Sequence, residues 1–313
     1  MAGRAVYFFT VCAFLVVGLA NFSTVHGADS RSVAVLYPDI GGEYGTVFSS
    51  IADGIAETVG APLYRVPLSS DYSRASITNR LRDVSARGVV ALGRRGLEAS
   101  RAAEWGGPLV LGAVIRDSSV ADNKFSGISL DPDPRVVLGH LKLLAPRVRH
   151  VHLIINQERT GWLAARARAM AGELGLSLLV REVTSRREAA LAYRDVLATI
   201  DNSQDALWLP LDPDTVDETT LQLVLKTAWN ERFVAFSSAP EHAQRGLLFS
   251  VIPDYAALGR QLGKLLQAQV RGEASSGIRP NSELRLAVNM RTARHLGLEL
   301  SRSTEAKIGV VYQ

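Results

Sequence analysis

The chain carries the same order of strand and helix patterns twice. Residues 32–40 form a short apolar run that ends in a turn, and residues 149–157 form a similar run in the second half. In each copy an apolar i, i+4, i+7 spacing predicts a helix that closes on a glycine, Gly60 or Gly175. The pattern then continues through further strands and helices. These later strands are residues 62–68, 88–92 and 109–115 in the first copy and 176–183, 206–211 and 233–237 in the second.

This alternation predicts parallel sheets with helices on both faces. The strands are continuous apolar runs, as sheets covered on both faces require. We therefore expect an α/β fold of two similar lobes, each a parallel sheet flanked by helices, joined by a hinge. Residues 127–134 contain two Asp-Pro pairs, which predict an extended first crossing between the lobes and then a helix from Arg135.

Beyond the second copy the pattern becomes less regular. Residues 246–253 are strand-like and lead into a long helix, Tyr255–Val270, with a leucine stripe. A last strand at 284–288 precedes a short helix at 292–296. The expected division is a leader over residues 1–27, a first lobe over 28–126 plus 254–283, and a second lobe over 130–250. Residues 284–313 supply a crossing strand, the short helix and a tail.

The N-terminus has the pattern of a secretory signal peptide. Arg4 precedes an uncharged run over residues 5–20, which is shorter than the ~20 residues of a membrane helix, and small residues up to Gly27 follow. The alternative is an uncleaved N-terminal anchor. Cleavage after Gly27 or Ala28 would leave a periplasmic protein without cysteine, because Cys12 lies in the apolar run; this suits an oxidising compartment.

Charge and motifs exclude several functional classes. The chain has 35 Lys and Arg against 31 Asp and Glu, and these charges are interleaved without a basic stripe of aromatics, so we expect no nucleic-acid partner. The chain contains no G-x-S-x-G, P-loop, G-x-G-x-x-G or H-E-x-x-H motif, so we expect neither an enzyme nor a cofactor. His150 and His152 lack a third ligand at useful spacing, which argues against a metal site.

An ordered set of segments over residues 143–298 resembles the ABC-transporter substrate-binding proteins of the tryptophan/tyrosine type, which have the type I periplasmic binding protein fold. The resemblance implies a non-catalytic protein that binds a small molecule between two lobes. The segments are Leu143-x-x-Pro146, Ala171-x-x-x-Gly175-Leu176, residues 205–212, 234–238, 246–255 and 258–261, Ala287-Val-Asn289 and Ala293-x-x-Leu-Gly-Leu298.

The first lobe matches that family less closely. Asn123-x-x-Ser-Gly127 fits the family's turn before the first crossing. After the third strand, however, the family usually has Gly-Thr and small residues, whereas this chain has Gly93-Arg94-Arg95-Gly96. This difference lies beside the expected ligand cleft, so the family's common amino-acid-type ligand does not carry over directly.

Ligands of open parallel sheets bind outside the carboxyl ends of the strands. We predict that Arg94, Thr160 and Asp212 face one another across the cleft. Arg94 would bind an anionic group, Thr160 and its helix amides polar oxygens, and Asp212 a donor such as an amine. The full set of predicted ligand-binding residues is Asp39, Gly41, Gly93, Arg94, Asn156, Thr160, Asp212 and Ser237.

Each of these assignments has a structural alternative. The arginines can be solvated at a helix start, and Thr160 can be a simple N-cap. Asp212 and Asp214 can cap a helix that starts near Val216. Ser237 and Ser238 with His242 can be imagined as a nucleophile and base, but Ser238 capping a helix begun by Pro240 is the favoured interpretation.

The leading functional prediction is a monomeric protein that captures a small molecule and delivers it to an ABC transporter permease. A second possibility keeps the fold but makes the protein the ligand-sensing partner of a membrane sensor. An exported enzyme lacks a nucleophile or metal constellation. A LacI-like regulator is excluded by the export signal and the missing DNA-binding headpiece.

Overall fold

The computed structural model describes residues 32–115, 125–273 and 276–313, apart from the side chains of Glu43 and Tyr44. The predicted leader over residues 1–27 and the family turn at Asn123 therefore lie outside the described residues. The described chain forms two sheets, each flanked by helices.

The first sheet has six parallel strands in the order β11-β5-β4-β3-β1-β2. Two helices, α1 and α9, pack on one face, and α2 and α3 cover the other. The strands are β1 (Val33–Pro38), β2 (Leu63–Leu68), β3 (Gly88–Leu92), β4 (Leu109–Val114), β5 (Ser126–Pro132) and β11 (Gly277–Asn281). The helices are α1 (Gly42–Val59), α2 (Arg74–Asp83), α3 (Gly93–Ala102) and α9 (Tyr255–Val270).

The second sheet has seven strands in the order β13-β12-β10-β9-β8-β6-β7. Only β12, which runs antiparallel to β10, and β13, which is parallel to β12, depart from the common direction. The strands are β6 (His150–Asn156), β7 (Ser177–Val183), β8 (Asp205–Leu209), β9 (Val234–Ser237), β10 (Phe249–Pro253), β12 (Leu284–Asn289) and β13 (Ile308–Tyr312).

Helices cover both faces of this sheet as well. Helices α4, α5 and α10 contribute to one core, and α6 and α7 to the other. The helices are α4 (Pro134–Leu144), α5 (Gln157–Glu173), α6 (Arg186–Thr199), α7 (Glu218–Glu231), α8 (His242–Arg245), α10 (Met290–His295) and α11 (Arg302–Glu305). The structure thus confirms the predicted α/β fold of two lobes.

The chain passes between the lobes where β5 leads to α4, β10 leads to α9 and β11 leads to β12. Main-chain hydrogen bonds tie these segments together: the Asp133 amide donates to the Asn281 carbonyl and the Asp254 amide to the Glu283 carbonyl, both at 2.8 Å. The strands β5 and β10 also contact each other. Both end at the crossings; β5 is parallel to both of its neighbours and β10 is parallel to β9. The carboxyl edges of the parallel strands of the two sheets therefore face each other there.

Helix α9 completes the first lobe from a distant part of the sequence. Its residues Leu258, Leu262 and Leu266 are buried against that lobe's core. It approaches α1 so closely that a Cβ at Gly54 would lie 2.0 Å from the Ala256 carbonyl oxygen, and one at Gly259 would lie 2.1 Å from that of Ile51. These two glycines allow the helices to pack in contact.

The structure corrects several local expectations. Residues 126–132, expected as an extended connection, form the paired strand β5, and neither β11 nor β13 was predicted. Residues 284–312, which the sequence analysis placed in neither lobe, join the second sheet through β12 and β13. Helix α7 begins at Glu218 rather than at Val216, because the Asp217 side chain accepts a hydrogen bond from the Thr220 amide at 2.8 Å.

Within the described ranges, no helix combines the length and the apolar character that crossing a membrane requires.

Candidate functional site

The first lobe presents two helix starts at its carboxyl edge. Helix α1 follows β1 through Asp39 and Gly41, and α3 follows β3 directly at Gly93. Neither helix has a hydrogen bond from an N-cap side chain. Gly93 has a φ of +67°, a conformation that favours glycine. The first amides of both helices therefore lack an acceptor on the N-cap side chain, and they lie at the positive end of the helix dipole.

The two adjacent arginines of α3 have different environments. Arg94 is exposed at the start of the helix. Arg95 is half-buried, and its Nη1 donates to the Leu68 carbonyl oxygen at 3.3 Å, which ties α3 to the end of β2. Asp39 is exposed, and its main-chain amide donates to the same carbonyl at 2.9 Å. At this edge Arg94 is thus the arginine whose side chain extends toward solvent.

In the second lobe, Asn156 caps α5 at the end of β6. Its Oδ1 accepts hydrogen bonds from the amides of Glu158 at 3.0 Å and Arg159 at 3.3 Å. The Thr160 hydroxyl lies 3.0 Å from the Asn156 carbonyl oxygen and 3.3 Å from Oδ2 of Asp212. Thr160 is therefore not the N-cap that the alternative interpretation made it; it links the first turn of α5 to the end of β8.

Asp212 is a buried carboxylate, only 4% exposed. Its Oδ1 accepts from the Asp214 amide at 3.0 Å, and its main-chain carbonyl accepts from the amides of Thr215 and Val216. The phenol of Tyr193 is fully buried nearby; burial first, and then the negative charge of Asp212, raise its pKa above the usual value. Asp212 thus shapes the loop after β8, whereas the helix cap that it was thought to provide comes from Asp217.

Asp214 joins two arginines at the rim of this loop. Its Oδ2 accepts from Nη1 of Arg159 at 2.7 Å, and its Oδ1 accepts from Nη2 of Arg186 at 3.1 Å. Hydrogen bonds from Arg159 and then from Arg186 hold the pKa of Asp214 below its usual value. Asp214 thus ties the first turns of α5 and α6 to the loop after β8.

Ser237 and His242 form a buried pair after β9. Ser237 Oγ lies 2.8 Å from His242 Nδ1 and 3.1 Å from the Leu209 carbonyl oxygen, and it accepts from the Ala239 amide at 3.0 Å. Burial lowers the pKa of His242, an effect that the charge of Glu241 opposes. Ser237 is fully buried, so its hydroxyl holds the loop and does not reach the edge of the sheet.

Ser238 does not cap a helix, contrary to the favoured interpretation. Its Oγ accepts a hydrogen bond from Nε1 of the buried Trp208 at 2.9 Å. The short helix α8 starts later, after Glu241, without a side-chain cap. The demand of a buried indole N–H for an acceptor explains the serine at this position.

His150 and His152 lie at the opposite edge of the second sheet. His150 Nδ1 and His152 Nε2 each lie 3.0 Å from a different oxygen of Asp205. Burial raises the pKa of Asp205, but hydrogen bonds from the Asp201 amide and the two imidazoles outweigh it, and the pKa falls below its usual value. Across the parts of the chain that the structure describes, no three His, Cys, Asp or Glu side chains are arranged to hold a metal ion.

The structure brings some predicted site residues together and separates others. Asn156, Thr160 and Asp212 are joined by hydrogen bonds in the second lobe. Arg94 lies at the facing edge of the first lobe, and Ser237 is enclosed. The sequence indicates Asp214 as a member of a carboxylate pair with Asp212 or as a helix cap. It singles out neither Arg159 nor Arg186, because the Asp-Pro-Asp spacing carries no signal for an ion pair with α5 and α6.

No family model and no curated protein matches this chain. Solved structures do match over 90% of it and 99% of their own length. One is a ligand-free, open substrate-binding protein with adhesive properties from Clostridium difficile, at 14% identity and a TM-score of 0.62. Another is an ABC domain in complex with L-Trp from Streptococcus pneumonia, at 19% identity and a TM-score of 0.53. A conserved domain protein from Vibrio cholerae matches at 15% and 0.52.

At these identities the similarity concerns architecture. It agrees with the sheet order, the helical layers and the crossings described above, and it confirms at the level of fold the resemblance found in the sequence. The chain has the two-lobed α/β fold of type I periplasmic binding proteins, the fold of those substrate-binding structures.

Proposed function

We propose that this chain is an extracytoplasmic solute-binding protein that captures a small molecule between its two lobes. The observation that carries the proposal is the position of the two carboxyl edges, which face each other at the crossings. One edge presents helix starts without an N-cap side-chain acceptor, and the other presents a polar loop cluster. Open parallel sheets bind ligands at this edge.

The polar groups of the two edges suggest how a ligand is held. In the first lobe, Arg94 and the first amides of α1 and α3 suit an anionic group. In the second lobe, Asn156 and Thr160 supply polar oxygens, and Asp212 supplies a buried carboxylate for a donor. Asp39, Gly41 and Gly93 complete the set as main-chain and loop positions, whereas Ser237 is enclosed and holds its own loop.

Binding of this kind works by population shift. A ligand that contacts both lobes stabilises the closed arrangement by its differential affinity for that state. The main-chain bonds at the crossings hold the connecting segments in register while the lobes move. A membrane partner, which we propose to be an ABC permease, then recognises the closed form. No catalytic step is needed.

The same chemistry serves the second candidate, a ligand sensor, and the Arg94-Arg95 pair at the cleft is the feature that favours it. Co-purification of the ligand-loaded protein with a permease or with a membrane sensor kinase separates these two roles. We also propose that residues 1–27 are removed and that the protein works as a monomer in the periplasm; N-terminal sequencing and light scattering of the exported protein test these points.

The binding function is tested by thermal denaturation of residues 28–313 with amino acids, nucleosides, peptides and organic anions. A ligand present at 100 times its dissociation constant adds about 2.7 kcal/mol to the free energy of unfolding. We expect one class to raise the melting temperature and to reduce the radius of gyration in small-angle scattering. If every class leaves the protein unshifted, or a ligand binds without any change in lobe closure, the proposal fails.

A further inference from the structure

A cavity lies between the lobes beside the edge strand β11, and neither Arg94 nor Asp212 lines it. Its volume is about 620 Å³. The second lobe contributes Trp162 and Arg166 from α5, and the first lobe contributes Leu265 of α9 with Ile278 and Arg279 of β11. Both lobes thus form its walls.

The cavity is lined by aromatic, apolar and positively charged side chains. Trp162 offers a half-buried indole ring and Leu265 an apolar side chain, whereas Ile278 is only 6% exposed and packs into the first lobe's core. Among the described residues, the charged side chains that line the cavity are the arginines Arg166 and Arg279, and none is a carboxylate. The surface therefore combines an aromatic plane with positive charge.

The two arginines are not equivalent. Nη2 of Arg166 pairs with Oδ2 of Asp133 at 2.6 Å, so its charge is largely compensated. Arg279 is exposed, and no carboxylate within the described ranges forms an ion pair with it. It lies on a strand that has a neighbour, β5, on one side only. Arg279 is thus the cation available to a ligand.

We propose that this cavity is a second ligand site, for a planar organic anion. The ring stacks on Trp162 against the apolar wall, and the anionic group accepts two parallel hydrogen bonds from the Arg279 guanidinium. Arg279 also lies close in sequence to Asn281, whose carbonyl joins β11 to the start of α4 at the crossing. A ligand held by both lobes here biases their closure, a consequence that rests on the proposed solute-binding function.

The binding step is tested with 2-naphthoate, using its neutral counterpart 2-naphthamide as the matched control ligand. Titration calorimetry on residues 28–313 is expected to show one saturable site for the anion and at least tenfold weaker binding of the amide. We expect Arg279→Gln to weaken naphthoate binding about tenfold or more, the range for a lost charged hydrogen bond. Trp162→Leu is expected to weaken it several-fold through the lost ring contact.

Three control variants make the outcome specific. Arg302→Gln removes another exposed arginine and is expected to leave naphthoate binding unchanged. Arg94→Ala alters the carboxyl-edge cleft and is also expected to leave it unchanged, so failure here and failure of the proposed function are distinguishable. Arg279→Lys keeps the charge without the fork and is expected to bind with intermediate affinity. Naphthoate binding that is absent, or insensitive to Arg279→Gln, or lost in Arg94→Ala, overturns the proposal.

Discussion

The Thr160 hydroxyl lies 3.3 Å from Oδ2 of Asp212, a contact that spans 52 positions in sequence. It connects the first turn of α5 to the loop after β8, and both groups are buried. The same carboxylate holds the Asp214 amide through its other oxygen. Asp212 is therefore part of the framework of the second lobe's edge as well as a candidate ligand contact.

The first prediction separates these two roles. Asp212→Ala is expected to lower the free energy of unfolding by about 1–3 kcal/mol, because it leaves the Asp214 amide without its acceptor and removes one of the two oxygens that face the Thr160 hydroxyl. Asp212→Asn keeps an acceptor oxygen and should cost less. Urea denaturation measures both. Asp83→Ala, an exposed position, serves as the control; equal stability of all three variants would show that Asp212 has no framework role.

A second prediction concerns the contact between α1 and α9. Gly259→Ala is expected to destabilise the protein by about 3 kcal/mol or more, since the new methyl group meets the main-chain oxygen of Ile51, which cannot rotate away. Gly139→Ala is the matched control. No atom lies within 4 Å of its added Cβ, so it should stabilise α4 by about 0.5–1 kcal/mol. Thermal melts that rank these two variants in the opposite order would disprove the close-packing argument.

The sequence predicted the elements whose signals are local. Helix α9 has the expected bounds, because the leucine spacing lies within the helix and its cap, Asp254, is the residue directly before it. Gly60 and Gly175 take the left-handed conformation expected after their helices, with φ of 59° and 65°. These features depend on a few neighbouring residues, so a single sequence contains them.

Other features depend on contacts that only the folded chain makes. Strands β11 and β13 are short, and Gly277 and Pro280 weaken the strand pattern of the first, so pairing with β5 and β12 defines them. Asp212, Asp214 and Asp217 are all of the residue type that caps helix N-termini. Asp217 became the cap, whereas Asp212 is held by Thr160 and Asp214 by two arginines. The adjacency of β6 and β8 decides this, and periodicity does not specify sheet order.

The third prediction is a pH dependence that comes from His242. Burial lowers its pKa in the folded protein, so on acidification the unfolded chain, with a pKa near 6.5, takes up the proton first. Stability is therefore expected to fall as pH decreases below about 6.5, until the lowered folded pKa is reached. The charges that face the ring are Glu241 and Glu218, which oppose this shift, and Arg245, which favours it.

His242→Asn isolates this contribution, because its amide can keep the contact with Ser237 without titrating. Urea denaturation at pH 7.5 and pH 5.5 is the measurement. The wild type is expected to lose more stability between these values than the variant does. Other titrating groups are common to both proteins and cancel in this comparison. An equal loss in the two proteins would mean that His242 does not titrate on unfolding in this range.

The last prediction concerns Arg94, the exposed cation at the first lobe's edge. Once a ligand has been identified, Arg94→Ala is expected to weaken its binding ten- to a hundred-fold, the range for a hydrogen bond to a charged group. Stability should change little, because the Arg94 side chain is exposed at the start of α3. Arg80→Gln, an exposed arginine of α2, is the control and should bind normally. Calorimetric titration and thermal melts on the same samples decide the matter: if Arg94→Ala melts lower but binds like the wild type, Arg94 supports the fold and the anionic group of the ligand is held elsewhere.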